Sequence, residues 1–144
     1  MLLEFLRTGR LGKISLKKTV FECKLDEPQS IFVDKNISIL KFGSLELIFN
    51  NGRLWSIGIE FEPEYFDSKY VVDFHSLKNI SIDNFILYLE KNGIPSERHP
   101  LFIKGQTSLI VGDRLNASYE LTASFEIENK QSRLWGIYCK DTSV

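Results

Sequence analysis

Two histidines are the residues of this 144-residue chain that first suggest acid–base chemistry. Asp73 and His75 are two positions apart, so on a strand they would share one face, where the carboxylate could orient the imidazole. Ser76 follows directly, but a catalytic dyad needs a nucleophile held within hydrogen-bond reach of its base, which neighbours in sequence rarely provide. We therefore expect His75 to be a partly exposed loop residue, and the same holds for His99 in its polar, proline-flanked stretch.

Other signatures of catalysis or cofactor binding are missing from the sequence. It contains no G-x-S-x-G elbow, phosphate loop, H-E-x-x-H motif or dinucleotide fingerprint. Cys23 and Cys139 are far apart, and neither has a second Cys or a His nearby that would indicate a metal site. We expect two buried, reduced thiols, no metal, no cofactor and no enzymatic activity.

Acidic residues form the most conspicuous charged segment, on both sides of Pro63. A glycosidase-like carboxylate pair is possible in principle, but such pairs converge from separate elements, and a charge run is usually a solvated loop. The functional interpretation is an acidic edge that meets a basic partner, with Tyr65 as an aromatic contact. The candidate partner-binding residues are Glu46, Glu60, Glu62, Glu64, Tyr65, Asp67, Glu120 and Glu126.

The elements that must position these residues follow from hydrophobic periodicity and turn signals. Strand patterns cover 31–33, 37–42, 44–49, 53–61, 107–111, 117–127 and 133–139, and 70–74 is a short strand or extended connector. Helix patterns cover 2–7, 16–25 after Ser15, and 82–92 after Ser81. In the second helix Leu16, Val20 and Phe21 should face inward.

An internal duplication is indicated by the order of these elements. Arg53-Leu54-Trp55-Ser56-Ile57 corresponds to Arg133-Leu134-Trp135-Gly136-Ile137, and an Ile-Ser pair leads each of the two later helices. We predict a single domain over residues 1–144, with pseudo-repeat units 10–66 and 67–144. The predicted fold class is α+β: two related helix-plus-antiparallel-meander units with the helices on one face of a joined sheet. Glu46, Glu120, Thr122 and Glu126 should then lie on the exposed sheet face.

Trp55 and Trp135 occupy equivalent places in the two units. On the strand pattern Trp55 shares a face with Ile57, Ile59 and Phe61, which favours core or inter-unit packing. If the two indoles are exposed instead, they would be binding hot spots. The sequence leaves these two interpretations open.

Charge and hydropathy limit the classes of partner. The net charge is −1, with 18 basic and 19 acidic residues, which argues against a nucleic-acid-binding protein. No apolar run approaches the roughly 18 residues of a membrane helix, and the first residues do not read as an export signal. We therefore expect a cytoplasmic protein without membrane partners.

The segments Leu6–Leu16 and Lys41–Phe49 are similar to parts of small uncharacterised bacterial proteins, some of which accompany toxin genes as immunity proteins. The duplicated helix-plus-meander pattern also resembles the β-lactamase inhibitory protein, whose two related units form a concave sheet that clamps an enzyme. The resemblance implies a protein partner and supplies no catalytic residue.

We therefore expect a non-enzymatic protein-binding protein, an inhibitor or immunity protein that occludes a bacterial toxin or enzyme with its sheet face. Two alternatives stay open. One is a small-molecule-binding or enzymatic module with a cleft between the two units, involving His75. The other is a self-associating subunit, which an exposed apolar patch would reveal.

Overall fold

Eight antiparallel strands form one continuous sheet in the computed structural model, which describes residues 1–61, 68–100, 104–113 and 118–143. The strands are β1 (Ser30–Asp34), β2 (Ile37–Phe42), β3 (Leu45–Asn50), β4 (Arg53–Glu60), β5 (Ser96–Arg98), β6 (Gln106–Val111), β7 (Tyr119–Glu128) and β8 (Gln131–Asp141). Their spatial order is β1-β2-β3-β4-β8-β7-β6-β5. The sheet therefore consists of two meanders, β1–β4 and β5–β8, that join where their last strands pair.

The junction between β4 and β8 has a symmetric register. Gly58 lies opposite Tyr138, and these two residues are also equivalent under the 80-residue offset of the sequence repeat. On either side Ile57 pairs with Cys139 and Ile59 pairs with Ile137, so the same offset exchanges one pair with the other. A local two-fold axis thus passes through the Gly58–Tyr138 pair. This register supports the duplication, while the unit bounds 10–66 and 67–144 stay a prediction.

Helices form a minor part of the chain, and the predicted fold class is wrong. The structure is 44% strand and 18% helix, an eight-stranded sheet with a few short helices and not two helix-plus-meander units with helices on one sheet face. The described helices are α1 (Leu2–Thr8), a 3₁₀ helix (Val72–Leu77) and α2 (Ile82–Lys91). The expected strand or extended connector at 70–74 is thus largely replaced by 3₁₀ structure.

The predicted helix at 16–25 is absent, and backbone pairing with β4 explains why. Lys17 N–H donates to the Leu54 carbonyl at 2.8 Å, and Leu54 N–H donates to the Lys18 carbonyl at 2.8 Å. The Lys18 carbonyl is a group that a helix would use internally, and Lys17 and Lys24 adopt left-handed φ values of 73° and 54°, which a helix does not allow. The side chain of Phe21, expected inside, is 87% exposed.

The predicted helices α1 and α2 are both present, and each has a residue at one end that stabilises that helix terminus. The Ser81 hydroxyl accepts a hydrogen bond from Asn84 N–H at 3.2 Å, which caps the start of α2. Gly9 ends α1 with a left-handed φ of 71°, a conformation that glycine adopts without a side-chain penalty. The ends of α1 and α2 were therefore readable from local sequence.

One cluster of buried side chains joins both meanders to the helices. The predicted alternation in β7 is confirmed, because Leu121, Ala123 and Phe125 are buried between half-buried polar neighbours. Phe85 of α2 packs edge-on against Phe125, with ring centroids 5.7 Å apart. The opposite sheet face therefore carries the polar positions of these strands.

The two cysteines are buried and free, as the sequence predicted. Burial raises the pKa of the Cys139 thiol to about 12, and the nearby Asp141 charge adds to the shift. Burial also raises the pKa of the Cys23 thiol. In the described parts of the chain, no helix combines the length and apolar content needed to cross a membrane. The cytoplasmic location stays a prediction.

Candidate protein-binding face

The sheet surface opposite Phe125 and Ile137 is called the open face below. Its residues alternate with the buried ones along each strand. From the first meander it contains Phe32, Ile39, Lys41, Glu46, Ile48, Ser56, Gly58 and Glu60; from the second, Ser108, Glu120, Thr122, Ser124, Glu126, Gly136, Tyr138 and Lys140. The expected positions of Glu46, Glu120, Thr122 and Glu126 on the exposed face agree with this alternation.

A β-bulge in each meander places a tryptophan outside the regular alternation. The register changes between Ile48 opposite Ser56 and Phe49 opposite Leu54, which leaves Trp55 as the extra residue. The second meander repeats this around Trp135, between Gly136 and Leu134. Trp55 therefore does not share the buried face of Ile57, contrary to the strand pattern. The ammonium group of Lys140 lies 5.8 Å from the centroid of its ring.

The Tyr138 side chain lies at the centre of the open face and packs directly on the backbone of Gly58 and Gly136. A methyl group added at Gly58 would lie 3.1 Å from the tyrosine ring, and one at Gly136 would lie 2.5 Å from the phenol oxygen. The absence of side chains at these two positions thus lets the ring approach the backbone. Trp55 and Trp135 lie on opposite sides of this ring, roughly 20 Å apart by the rise of extended strands.

Each tryptophan borders a surface depression. The one at Trp55 has a volume of about 420 Å³ and includes Arg53 and Asp141. Burial alone would raise the pKa of the Asp141 carboxyl, but Ser143 donates to it from Oγ at 2.6 Å and from N–H at 2.9 Å. These bonds hold the pKa below its ordinary value, so the carboxylate stays charged. The depression at Trp135 has a volume of about 450 Å³.

An apolar stripe crosses the first meander on the open face. Phe32 lies opposite Ile39, which lies opposite Ile48, and Ile48 lies opposite Ser56 next to Trp55. The two isoleucines are half-buried, and the Phe32 side chain is 58% exposed. The stripe therefore extends from the surface around Trp55 to β1 at the outer edge of the sheet.

Three of the four predicted acidic residues in the described sheet lie next to a lysine or an arginine on a neighbouring strand. Glu46 pairs with Lys41 at 3.4 Å, and Glu126 pairs with Arg133 at 2.9 Å. Glu120 lies opposite Lys140 in the register, whereas Glu60 lies opposite Gly136. This part of the face has mixed charge. Glu62, Glu64, Tyr65 and Asp67 lie outside the described residues.

The second meander carries a smaller polar depression. It has a volume of about 200 Å³, and His99, Ser108, Glu120, Thr122 and Lys140 are among its lining residues. The hydroxyl groups of Ser108 and Ser124 lie 3.1 Å apart beside it. His99 therefore borders the open face, which its position between two prolines did not reveal.

The arrangement expected for an Asp73–His75 dyad is not formed. Both residues lie in the 3₁₀ helix, where positions three apart share a face and positions two apart do not. The Asp73 carboxylate accepts a hydrogen bond from Leu2 N–H at 2.7 Å, and His75 is exposed. The structure thus separates this histidine from the open face. Among the described residues, no three His, Cys, Asp or Glu side chains are grouped to hold a metal ion.

Sequence reasoning left core packing and exposure open for the two tryptophans, which are half-buried in the structure, and it did not single out Tyr138. A usable signal was present: Gly136 and Tyr138 stand two apart, so a strand places the ring next to a position without a side chain. Comparison with known proteins gives no further guide, because no family model, curated protein or solved structure matches the chain.

Proposed function

We propose that this chain is a non-enzymatic protein-binding protein that occludes a bacterial toxin or enzyme with its open face. The observation that carries the proposal is the arrangement of Trp55, Tyr138 and Trp135, with a depression beside each tryptophan. A few residues near the centre of a protein interface carry most of its binding energy, and tryptophan and tyrosine are enriched among them. An inhibitor or immunity protein is the form of this function that the sequence resemblance favours.

The dimensions of this region suit a protein partner better than a small ligand. Two anchors roughly 20 Å apart on an extended sheet cannot both contact a small molecule, but a folded partner can reach both. Each depression is large enough to receive a side chain from such a partner. The apolar stripe Phe32–Ile39–Ile48 would extend the contact across the first meander.

The charges on the open face favour a partner with mixed polarity. Lys41 pairs with Glu46 and Arg133 with Glu126, so these acids do not form a uniformly negative surface. In this geometry the aromatic groups supply affinity, and the ion pairs at the rim set orientation and association rate. Only the predicted acidic edge around Pro63 would favour a strongly basic partner, and that edge lies outside the described residues.

Co-purification with the product of an adjacent toxin or enzyme gene tests this function. The tagged chain and the candidate partner would be co-expressed, and complex formation measured by size-exclusion chromatography and calorimetry. The double variant Trp55→Ser/Trp135→Ser should weaken binding at least a hundredfold, because two central anchors are removed. Inhibition of the partner's activity should weaken in parallel.

Leu87→Ser is the matched control, because Leu87 is an exposed apolar residue on α2, which packs on the opposite face. This variant should bind as the wild type does. A complex that tolerates Trp55→Ser/Trp135→Ser but is lost in Leu87→Ser would place the interface elsewhere. If the chain formed no stable complex with the product of any adjacent gene, the proposed function itself would be contradicted.

A second candidate is small-molecule binding in the depression of the second meander. Lys140, the His99 ring and the hydroxyl groups of Ser108 and Thr122 border it and can donate hydrogen bonds to a small polar anion, while Glu120, opposite Lys140 in the register, is the one carboxylate among the described residues of the lining. Thermal unfolding with millimolar phosphate or citrate would test this, since a bound ligand raises the transition temperature. An unchanged transition with both probes would argue against the candidate.

A further inference from the structure

The two outer edges of the sheet differ in how well they are protected. At β1 the side chains of Ile31, Phe32 and Val33 are 62%, 58% and 64% exposed, and no other described strand pairs with the outer side of β1. Three consecutive exposed apolar residues on an edge strand are the arrangement that proteins usually avoid. An edge of this kind is therefore suited to pairing with another strand.

The opposite edge carries the usual protective features. β5 has only three residues, and two of them, Glu97 and Arg98, are charged and exposed. Pro95 precedes this strand and Pro100 follows it, which limits further pairing. One edge is thus blocked against pairing and the other is not.

We propose that β1 pairs antiparallel with β1 of a second copy of this chain, with Phe32 on the two-fold axis. This inference does not depend on the proposed function, because it concerns the outer edge and not the tryptophan region. In this register Phe32 meets Phe32 of the second copy, Ile31 meets Val33, and Ser30 meets Asp34. Apolar residues then lie opposite apolar residues, and polar residues end the strand.

The backbone of β1 suits this register. Asp34 and Ile37 close a two-residue hairpin, and such a closing pair exchanges its hydrogen bonds within the hairpin. Because ladder bonds alternate, Phe32 also bonds to β2, while Ile31 and Val33 direct their N–H and C=O groups outward. With Phe32 on the axis, Ile31 and Val33 of one copy face Val33 and Ile31 of the other. Their outward groups can then form four hydrogen bonds.

Charge complementarity supports a second copy as the occupant. Ser30 lies opposite Lys41 in β2, and both residues are on the open face. In the dimer Asp34 of the second copy would lie on the far side of Ser30, two strand spacings or roughly 10 Å from Lys41. Across a side chain as small as serine, the lysine, whose ammonium group also pairs with Glu46 at 3.4 Å, can extend toward this carboxylate, and the two-fold axis repeats the arrangement.

The dimer would resemble the junction already present inside the chain. β4 and β8 also pair antiparallel around a local two-fold axis perpendicular to the sheet. Repetition at β1 keeps both open faces on the same side and joins the two apolar stripes through Phe32. The contact involves one short strand per copy and is smaller than the roughly 1,200 Å² of a stable interface. We therefore expect reversible association, with a dissociation constant that is micromolar or weaker.

Sedimentation of the full chain from micromolar to near-millimolar concentration tests the dimer. The wild type should approach twice the mass of one chain as concentration rises. Val33→Pro removes an outward N–H on the side of β1 where no described strand pairs, so it should leave the fold intact and abolish dimerisation. Leu87→Lys, which changes another exposed apolar residue, should dimerise like the wild type.

Phe32→Cys tests the register independently of Val33→Pro. At a non-hydrogen-bonded antiparallel pair the Cα atoms are about 4.5 Å apart, close enough for a disulfide. Mild oxidation should link Phe32→Cys into dimers far faster than Leu87→Cys, since the native cysteines are buried. A wild type that stays monomeric throughout, or a Val33→Pro variant that still dimerises, would overturn the proposal.

Discussion

The first meander, β1–β4, and the second, β5–β8, place equivalent side chains in the core and different side chains at the surface. Each has a phenylalanine opposite the leucine that precedes its bulge: Phe49 faces Leu54, and Phe125 faces Leu134. Each bulge then carries a half-buried tryptophan. At the surface, however, the first meander carries the stripe Phe32–Ile39–Ile48, and the second carries hydroxyl and charged groups.

The core residues that the two meanders share are needed for folding, whereas the surface residues that differ are available for binding. Several positions that face the common core keep the same residue type, as Phe49 and Phe125 do, because cavities and overpacking there are costly, whereas Ile59 is replaced by Cys139. Positions on the open face have no such restriction, so the two halves have acquired different surfaces. The apolar surface and unprotected edge of the first meander therefore indicate where contacts with other chains should concentrate.

The largest expected effect tests the shared core. Phe49→Ala and Phe125→Ala should each lower the free energy of unfolding by about 3–5 kcal/mol, because both side chains are fully buried. Urea denaturation at low temperature would measure both, with Leu87→Ala as a near-neutral surface control. If either substitution lowered the free energy of unfolding by less than about 1 kcal/mol, the two meanders would not contribute equally to one core.

The second effect concerns Cys139, which occupies the position that Ile59 fills in the first meander. With its pKa raised to about 12, the native thiol should react with a thiol reagent at least a hundredfold more slowly than in urea. Because the native pKa lies above the unfolded value, the associated stability is complete below about pH 9 and is lost as pH rises toward 12. Stability measured by urea denaturation should therefore decrease above pH 9, and less so in Cys139→Ala. Equal thiol reactivity in the native and urea-unfolded chain would contradict this.

The third effect distinguishes equivalent positions on the open face. Gly136→Ala should cost about 1 kcal/mol, because the added methyl group displaces the Tyr138 ring. Ser56→Ala, eighty residues earlier, should be close to neutral. In a Tyr138→Ala background the cost of Gly136→Ala should largely disappear, as a double-mutant cycle would show. An unchanged cost in that background would mean that the glycine is needed for another reason.

The smallest effect is expected at the ion pairs of the open face. Glu46→Gln in the first meander and Glu126→Gln in the second should each change the unfolding free energy by about 0.2–1 kcal/mol, since both pairs are partly solvated. Added salt should reduce both differences. A cost of several kcal/mol for either variant would indicate a structural role that the exposure of these pairs does not predict.

Local signals predicted the parts of the fold that depend on short-range physics. The alternation in β7 and the cap at Ser81 are of this kind. Residues 16–25 were misread because their hydrogen-bond partner, Leu54, is distant in sequence. Trp55 was misassigned because a single bulge residue shifts the two-residue period, and periodicity alone does not reveal it.

The candidate site was predicted only in part for the same reason. The exposed positions of Glu46, Glu120 and Glu126 follow from alternation within a strand. The basic residues beside them, Lys41, Lys140 and Arg133, belong to neighbouring strands. The mixed charge of the open face therefore depends on strand order and register. The grouping of two tryptophans around Tyr138 likewise requires the pairing of β4 with β8.

We expect a partner protein to cover both tryptophans of the open face. The chain contains only these two indoles, so its nitrogen-15 spectrum should show two tryptophan side-chain signals, which Trp55→Phe assigns. Titration with an adjacent gene product that co-purifies should shift or broaden both signals at stoichiometric addition. A complex that forms while both indole signals remain unchanged would contradict the account.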